Sequence, residues 1–309
     1  MRDPAAAPHA HITAAALMPV LVLTLVWGFN WPILKMGVSE LAPLTFRSLT
    51  LPFAALGLLA ASKLSGGSIK VPRPLWGKVL FLAFFNITAW NGLVLFGLQQ
   101  LPAGRTAILA YTMPIWSVLF ALVILREPLS MRKVAGMALG MAGMALLLGD
   151  DVRHFQRTPL AALFILGAAV AWAFGTAMFR HWKLPLPQNT VSGWMMLLGW
   201  VPLVVLAPFF ATGPLRPPSP GALFAILYNI FLAGTLAHWA WFTLARTLPV
   251  AISSMASLPV PIVGVFSGML LLGERPGVSE WTALLLVVAA MVLVLWPPKA
   301  APAPMTPDD

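Results

Sequence analysis

"LPAGRTAILAYTMPI", Leu101 to Ile115, returns later in the chain as "LPVAISSMASLPVPI", Leu248 to Ile262. The first copy continues to "LREP" (Leu125–Pro128) and the second to "LGERP" (Leu272–Pro276). Pro102 pairs with Pro249, Pro114 with Pro261 and Glu127 with Glu274; 249−102, 261−114 and 274−127 all equal 147. Three landmarks therefore align without a gap. At a shift of 171−26 = 145, "VWGF" (Val26–Phe29) pairs with "AWAF" (Ala171–Phe174). The chain reads as two copies of one unit.

What the unit is follows from composition. The 309 residues are 60% hydrophobic and 9% charged, against about 25% charged in an ordinary globular domain. Apolar runs of spanning length, about 20 residues, recur from end to end. The expected fold is an all-α integral membrane protein with ten transmembrane helices, near 14–36, 41–62, 76–99, 103–125, 131–149, 159–181, 188–210, 220–246, 249–272 and 278–296. Pro- and Gly-rich connections punctuate them, among them "ELAP" (Glu40–Pro43), "SGGSIKVPRP" (Ser65–Pro74) and "GPLRPPSP" (Gly213–Pro220). The expected organisation is an N-terminal tail over 1–13, a first five-helix repeat over 14–149, a connecting loop over 150–158, a second repeat over 159–296 and a disordered tail over 297–309. Five is odd, so the second repeat enters the membrane from the opposite side. Inverted-topology repeats of this kind are a transporter architecture.

An even number of spans puts both termini on one side. With that side cytoplasmic, 12 basic residues fall inside and 6 outside, with Arg47 left within a span. The positive-inside rule favours that orientation in the plasma (inner) membrane. The net charge of +10 thus sets topology. No dense Lys/Arg run alternates with aromatics, so no nucleic acid is expected as partner. The absence of cysteine excludes disulfides, zinc–thiolate sites, iron–sulfur clusters and a Cys nucleophile.

Two five-helix repeats, an aromatic-Gly start to helix 1, a proline in helices 4 and 9 and a Glu just after each resemble the EamA-type transporters of the drug/metabolite transporter superfamily. The resemblance covers Ala14 to Trp296. Within the superfamily the chain is most similar to YddG-type bacterial exporters of aromatic and other neutral amino acids. The resemblance implies a cavity lined mainly by helices 1, 3, 4, 6, 8 and 9, with helices 5 and 10 at the periphery. It also implies export.

Polar side chains inside apolar helices mark the cavity, because lipid penalises them. In "LVWGFNWPILK" (Leu25–Lys35), Trp27, Asn30, Trp31 and Leu34 are spaced i, i+3, i+4, i+7 and share a face. Trp172, Gly175, Thr176 and Phe179 repeat that spacing in helix 6. Helix 3 adds Asn86, Trp90 and Asn91; helix 4 adds Tyr111 and Thr112; helix 8 adds Asn229, Thr235, His238 and Trp241; helix 9 adds Ser253, Ser254 and Ser257. Asn91 maps to His238 by the 147 offset. The candidate substrate-binding set is Trp27, Asn30, Trp31, Trp90, Asn91, Tyr111, Trp172, Thr176, His238, Trp241, Ser254 and Ser257. Aromatic faces suit apolar or cationic ligand parts. Neutral Asn and Ser can donate to a carboxylate and accept from an ammonium. No carboxylate sits mid-span, which fits a zwitterionic or neutral solute better than a strongly cationic drug.

Each signal has a structural alternative. Trp27 and Trp172 serve helix packing if they do not line a cavity, and a membrane Asn often only bonds a neighbouring helix. His238 is a proton relay or a neutral hydrogen-bonding group. Arg47 snorkels outward, the favoured reading, or binds a carboxylate. Glu127 and Glu274 read as capping groups or partners of Arg126, Arg132 or Arg275. Pro32, Pro114 and Pro261 are hinge candidates or fixed kinks.

Enzyme motifs are missing: there is no H-E-x-x-H, no Walker A sequence, no G-x-S-G and no membrane-depth Asp. The expectation is a secondary transporter, not an enzyme, needing no cofactor or metal. It moves small neutral metabolites, aromatic and other neutral amino acids foremost, by alternating access. A multidrug exporter of the same superfamily is the alternative, with a membrane enzyme or scramblase behind it.

Overall fold

The computed structural model describes residues 14–126, 130–153, 159–211, 217–241 and 259–295. The regular elements among these residues are all helices, and no β-strand occurs among them. Helix α1 spans Ala14–Glu40 and α2 spans Pro43–Leu64. Next come α3 over Arg73–Gln100 and α4 over Ala103–Ile124. Helix α5 spans Met131–Arg153, α6 Pro159–Trp182 and α7 Gln188–Phe210. Helix α8 runs over Pro220–Trp241, α9 over Val260–Leu272 and α10 over Val278–Leu295. Among the described residues, seven helices are long and apolar enough to cross a membrane: α1 to α4 and α6 to α8. Helices α9 and α10 are apolar but shorter as described. Bulky apolar side chains stay exposed on the outer faces, Phe53, Phe209, Phe231 and Leu270 among them. A surface of that kind is stable against hydrocarbon.

The packing pairs come in matched sets. Helix α1 packs on α9 as α4 packs on α6; α2 packs on α8 as α3 packs on α7; α2 packs on α7, and α5 on α10. Adding or subtracting five in the helix number turns this set of pairs into itself. Helices α5 and α10 lean chiefly on each other at the edge, as the resemblance implied.

Prolines write several of the interhelix bonds. A proline lacks the N–H that would bond the carbonyl four residues back. Pro32 thereby releases the Gly28 carbonyl, and the Ser267 hydroxyl of α9 donates to it at 3.2 Å. Pro52 releases the Ser48 carbonyl, which takes the Trp200 indole N–H of α7 at 3.1 Å. Gly28 also lies where a Cβ would stand 2.3 Å from the Val263 side chain, so only hydrogen fits between α1 and α9.

Pro114 acts differently. Helix α4 breaks at Tyr111–Thr112 into Ala103–Ala110 and Met113–Ile124, and Pro114 occupies the first turn of the second segment. The Thr112 hydroxyl closes the break by donating to the Leu109 carbonyl at 2.7 Å. Pro261 likewise lies in the first described turn of α9, behind Pro259. A first-turn proline costs little, because its N–H would have no intrahelical partner. The sequence places Pro114 in a continuous span; the structure instead starts a segment there.

The end of the bundle near Leu101 is tied by charges. Lys35 Nζ donates to the carbonyls of Leu98, Gln99 and Leu101 at 2.7, 2.9 and 2.9 Å. The Glu274 carboxylate accepts the N–H groups of Ala103 and Gly104 at 2.5 and 2.9 Å. Arg105 is paired with Glu280 at 2.8 Å, and Glu40 accepts from the Ser219 N–H at 2.6 Å. Glu274 is thus a capping group, and the helix it caps is α4; Glu127 lies outside the described residues.

Candidate functional site

Where the helices meet they leave a cavity of 130 Å³. Helix α1 contributes Trp27, Asn30, Trp31 and Leu34, the face read from its spacing. Helix α3 contributes Ile87, Trp90, Asn91 and Val94; α4 contributes Tyr111 and Met113 beside its break. Trp172 comes from α6, and Asn229, Ala233, Gly234 and His238 come from α8. Eight of the twelve sequence candidates therefore share one cavity: Trp27, Asn30, Trp31, Trp90, Asn91, Tyr111, Trp172 and His238.

Two of the twelve stand elsewhere. Thr176 faces α3, where its hydroxyl lies 3.4 Å from Asn86 Nδ2. Asn86 also donates to the Trp172 carbonyl at 3.0 Å, so both side chains join α3 to α6. Trp241 packs on Trp27, with ring centroids 6.1 Å apart, behind the cavity wall. Ser254 and Ser257 lie outside the described residues.

Aromatic rings pack edge to face around the space. Trp31 meets Tyr111 at 6.4 Å and 71°, and Trp27 meets His238 at 5.4 Å and 76°. Trp90 and Trp172 lie 5.1 Å apart. Trp27 Nε1 donates to the Ala233 carbonyl at 3.3 Å, and His238 Nδ1 lies 3.0 Å from the same oxygen. A carbonyl only accepts, so Nδ1 carries the proton.

Two of the cavity-lining helices depart from α geometry. Helix α3 widens to a π-helix over Phe84–Ala89 and α8 over Tyr228–Leu236. Such widening is frequent at functional sites. It offsets the residues that follow, among them Asn91 and His238, relative to a regular helix.

Helix α2 was not expected in this wall, yet it supplies Arg47, Thr50, Leu51 and Ala54, and α7 supplies Met196. Arg47 does not snorkel: the residue is buried, and Nη1 donates to Asn229 Oδ1 at 3.0 Å. Among the lining residues it is the sole Lys or Arg, and none is Asp or Glu. The signal was present in the sequence. Arg47, Thr50, Leu51 and Ala54 fall at i, i+3, i+4 and i+7, while Leu49, Phe53 and Leu56 form the opposite, exposed face. Among the described residues, two buried polar oxygens of the lining have no partner, Asn30 Oδ1 and Thr50 Oγ1. Among the described residues no cluster of His, Cys, Asp or Glu could hold a metal ion.

Comparison with known proteins agrees with this architecture. The EamA-like transporter family matches residues 14–149 and, again, 159–296. The inner membrane transporter YedA of Escherichia coli is 27% identical over 298 residues, covering 94% of this chain and 95% of its own. The transporter YoaV of Bacillus subtilis is 23% identical over 282 residues, covering 90% and 95%. A probable amino-acid metabolite efflux pump of Escherichia coli is 25% identical over 288 residues, covering 88% and 92%. A solved structure, 19% identical, superposes with a TM-score of 0.65 over 90% of this chain and 95% of its own, so the two share a fold. With both halves of the chain matched, the protein belongs to the EamA-like transporter family of multi-pass membrane transporters.

Proposed function

We propose that this chain is a secondary transporter exporting small neutral metabolites, aromatic and other neutral amino acids foremost, by alternating access through the central cavity. The supporting observation is the lining. Trp27, Trp31, Trp90, Tyr111 and Trp172 offer apolar faces, and Asn30, Asn91 and Thr50 offer neutral donors and acceptors. Such a mixture suits an apolar side chain attached to a compact polar head. The relative called a probable amino-acid metabolite efflux pump points the same way.

The reading includes ten spans, with α5, α9 and α10 completing the seven, arranged as inverted repeats over 14–149 and 159–296 in the inner membrane. Both termini face the cytoplasm, and the Leu101 end faces out. The packing set that survives exchange of α1–α5 for α6–α10 supports the duplication. Hinge motion is assigned to Pro32, Pro114 and Pro261, with the break at Tyr111–Thr112 as its centre.

Flux of labelled Phe, Trp, Leu, Thr and a cationic dye into proteoliposomes, with and without a pH gradient, tests the reading. Saturable amino-acid flux is the expected result. Dye movement without amino-acid flux would transfer the protein to the multidrug alternative. Trp27→Ala and Asn30→Ala should each lower amino-acid flux roughly tenfold, with the folded fraction checked by size-exclusion profile. Unchanged flux in both would remove this wall from the solute path.

A further inference from the structure

Arg47 is a buried cation in an apolar setting. It is 7% exposed, and among the described residues its hydrogen bond goes to a neutral acceptor, Asn229 Oδ1. Asn229 is itself fixed, because its Nδ2 donates to the Ala225 carbonyl at 3.0 Å and so turns Oδ1 toward Arg47. Arg47 Nε is buried and has no hydrogen-bond partner among the described residues. One turn along the same face, Thr50 is 0% exposed and its hydroxyl is also unpartnered. Both residues line the cavity.

A buried guanidinium needs a counter-charge, since desolvation of a lone cation is costly. Among the described residues, no carboxylate lines the cavity. The nine acidic residues of the sequence are Asp3, Glu40, Glu127, Asp150, Asp151, Glu274, Glu280, Asp308 and Asp309, and none of them is among the lining residues. Glu40, Glu274 and Glu280 are engaged with Ser219, with the α4 N-terminus and with Arg105.

We infer that Arg47 and Thr50 form a carboxylate-binding subsite that selects solutes bearing a free carboxylate. Asn229 occupies Nη1, which leaves the edge formed by Nε and Nη2. That edge matches a planar carboxylate in two parallel hydrogen bonds. The Thr50 hydroxyl adds a third donor from one turn away. The organic part of the solute then rests against the tryptophans of α1 and α3, and the unpartnered Asn30 oxygen is an acceptor for an ammonium in the same cavity. This subsite deepens, and rests on, the reading of the cavity as the solute path.

The test uses the purified full chain in nanodiscs, with intrinsic tryptophan fluorescence reporting binding, alongside flux of labelled phenylalanine in proteoliposomes. The probes are phenylalanine, phenylpropionate, phenylalaninamide, phenethylamine and phenyl phosphate. The carboxylates should bind roughly 10- to 100-fold more tightly than the amide and the amine. Arg47→Gln should erase that preference, Arg47→Lys should retain part of it, and Thr50→Val should weaken carboxylate binding by a few-fold. Equal binding of phenylpropionate and phenylalaninamide by the unaltered protein would overturn the subsite, whatever the variants do. Tighter binding of phenyl phosphate than of phenylpropionate would overturn its assignment to carboxylates. Phenylalanine flux without carboxylate preference sinks the subsite and keeps the proposed function. Carboxylate preference without phenylalanine flux keeps the subsite and removes the amino-acid reading.

Discussion

Glu280→Leu is expected to be among the most destabilising single changes in this protein, costing about 3–5 kcal/mol. The Arg105 side chain is 0% exposed, and its Nη1 lies 2.8 Å from Glu280 Oε1. Nη2 donates to the Leu147 carbonyl, and the Gly277 N–H donates to the other Glu280 oxygen at 2.9 Å. One ion pair therefore ties α4, α5 and the start of α10 together. Replacing the carboxylate takes the Glu280 charge away from a buried guanidinium, and removing one partner of a buried pair costs more than the pair itself contributes. The double change Arg105→Met with Glu280→Leu should recover most of the loss, because it removes the charge as well as its partner. Thermal unfolding in detergent of the two single variants and the double variant reads this directly. A Glu280→Leu protein that melts with the unaltered chain would show that the pair carries no stability.

The second large effect is expected at Glu274. Helix α4 begins after Pro102, whose side chain can accept no hydrogen bond, so the first N–H groups of the helix need an outside acceptor. Glu274 provides it from 171 residues further along the chain, bonding Ala103 and Gly104. Its negative charge also meets the positive end of the helix dipole. Two charge-assisted bonds of about 1.5–3 kcal/mol each are at stake. Glu274→Ala should lower stability by roughly 2–5 kcal/mol, and Glu274→Gln, which keeps one acceptor, by less. Hydrogen exchange over residues 101–106 should rise in both variants, in that order. Unchanged exchange in Glu274→Ala would show that another group caps α4.

The sequence made the fold legible where a physical period was strong. Spanning length, proline and glycine punctuation and the 147-residue offset placed the described helix ends to within a few residues, while the expected end of helix 8 at 246 and start of helix 9 at 249 lie outside the described residues. The α1 face of Trp27, Asn30 and Trp31 was readable because i, i+3, i+4 spacing allows a single side. The offset linked Asn91 with His238, and both line the cavity. Arg47 escaped because one cation near a helix end satisfies two opposite physical descriptions, reaching out to water or turning in to a polar partner. Its direction depends on Asn229, 182 residues away, and no local pattern encodes that. Thr176 and Trp241 have suitable chemistry but face a neighbouring helix and the back of Trp27. Pro114 was legible as a disturbance, and its form was not, because a bend and a break both relieve the same clash with the preceding turn.

The widened turns at Phe84–Ala89 and Tyr228–Leu236 have a consequence for which changes of length the chain can survive. Losing one residue from a regular membrane helix rotates everything beyond the deletion by about 100°, turning lipid-facing groups inward and polar ones toward hydrocarbon. A π-turn holds one residue more than the α-turn it replaces. Removing that residue converts the wide turn to an ordinary one and leaves the flanking segments in phase. These two stretches are thus slack in the reading frame of the helices, the places where lineages can shorten a span by one residue and still fold.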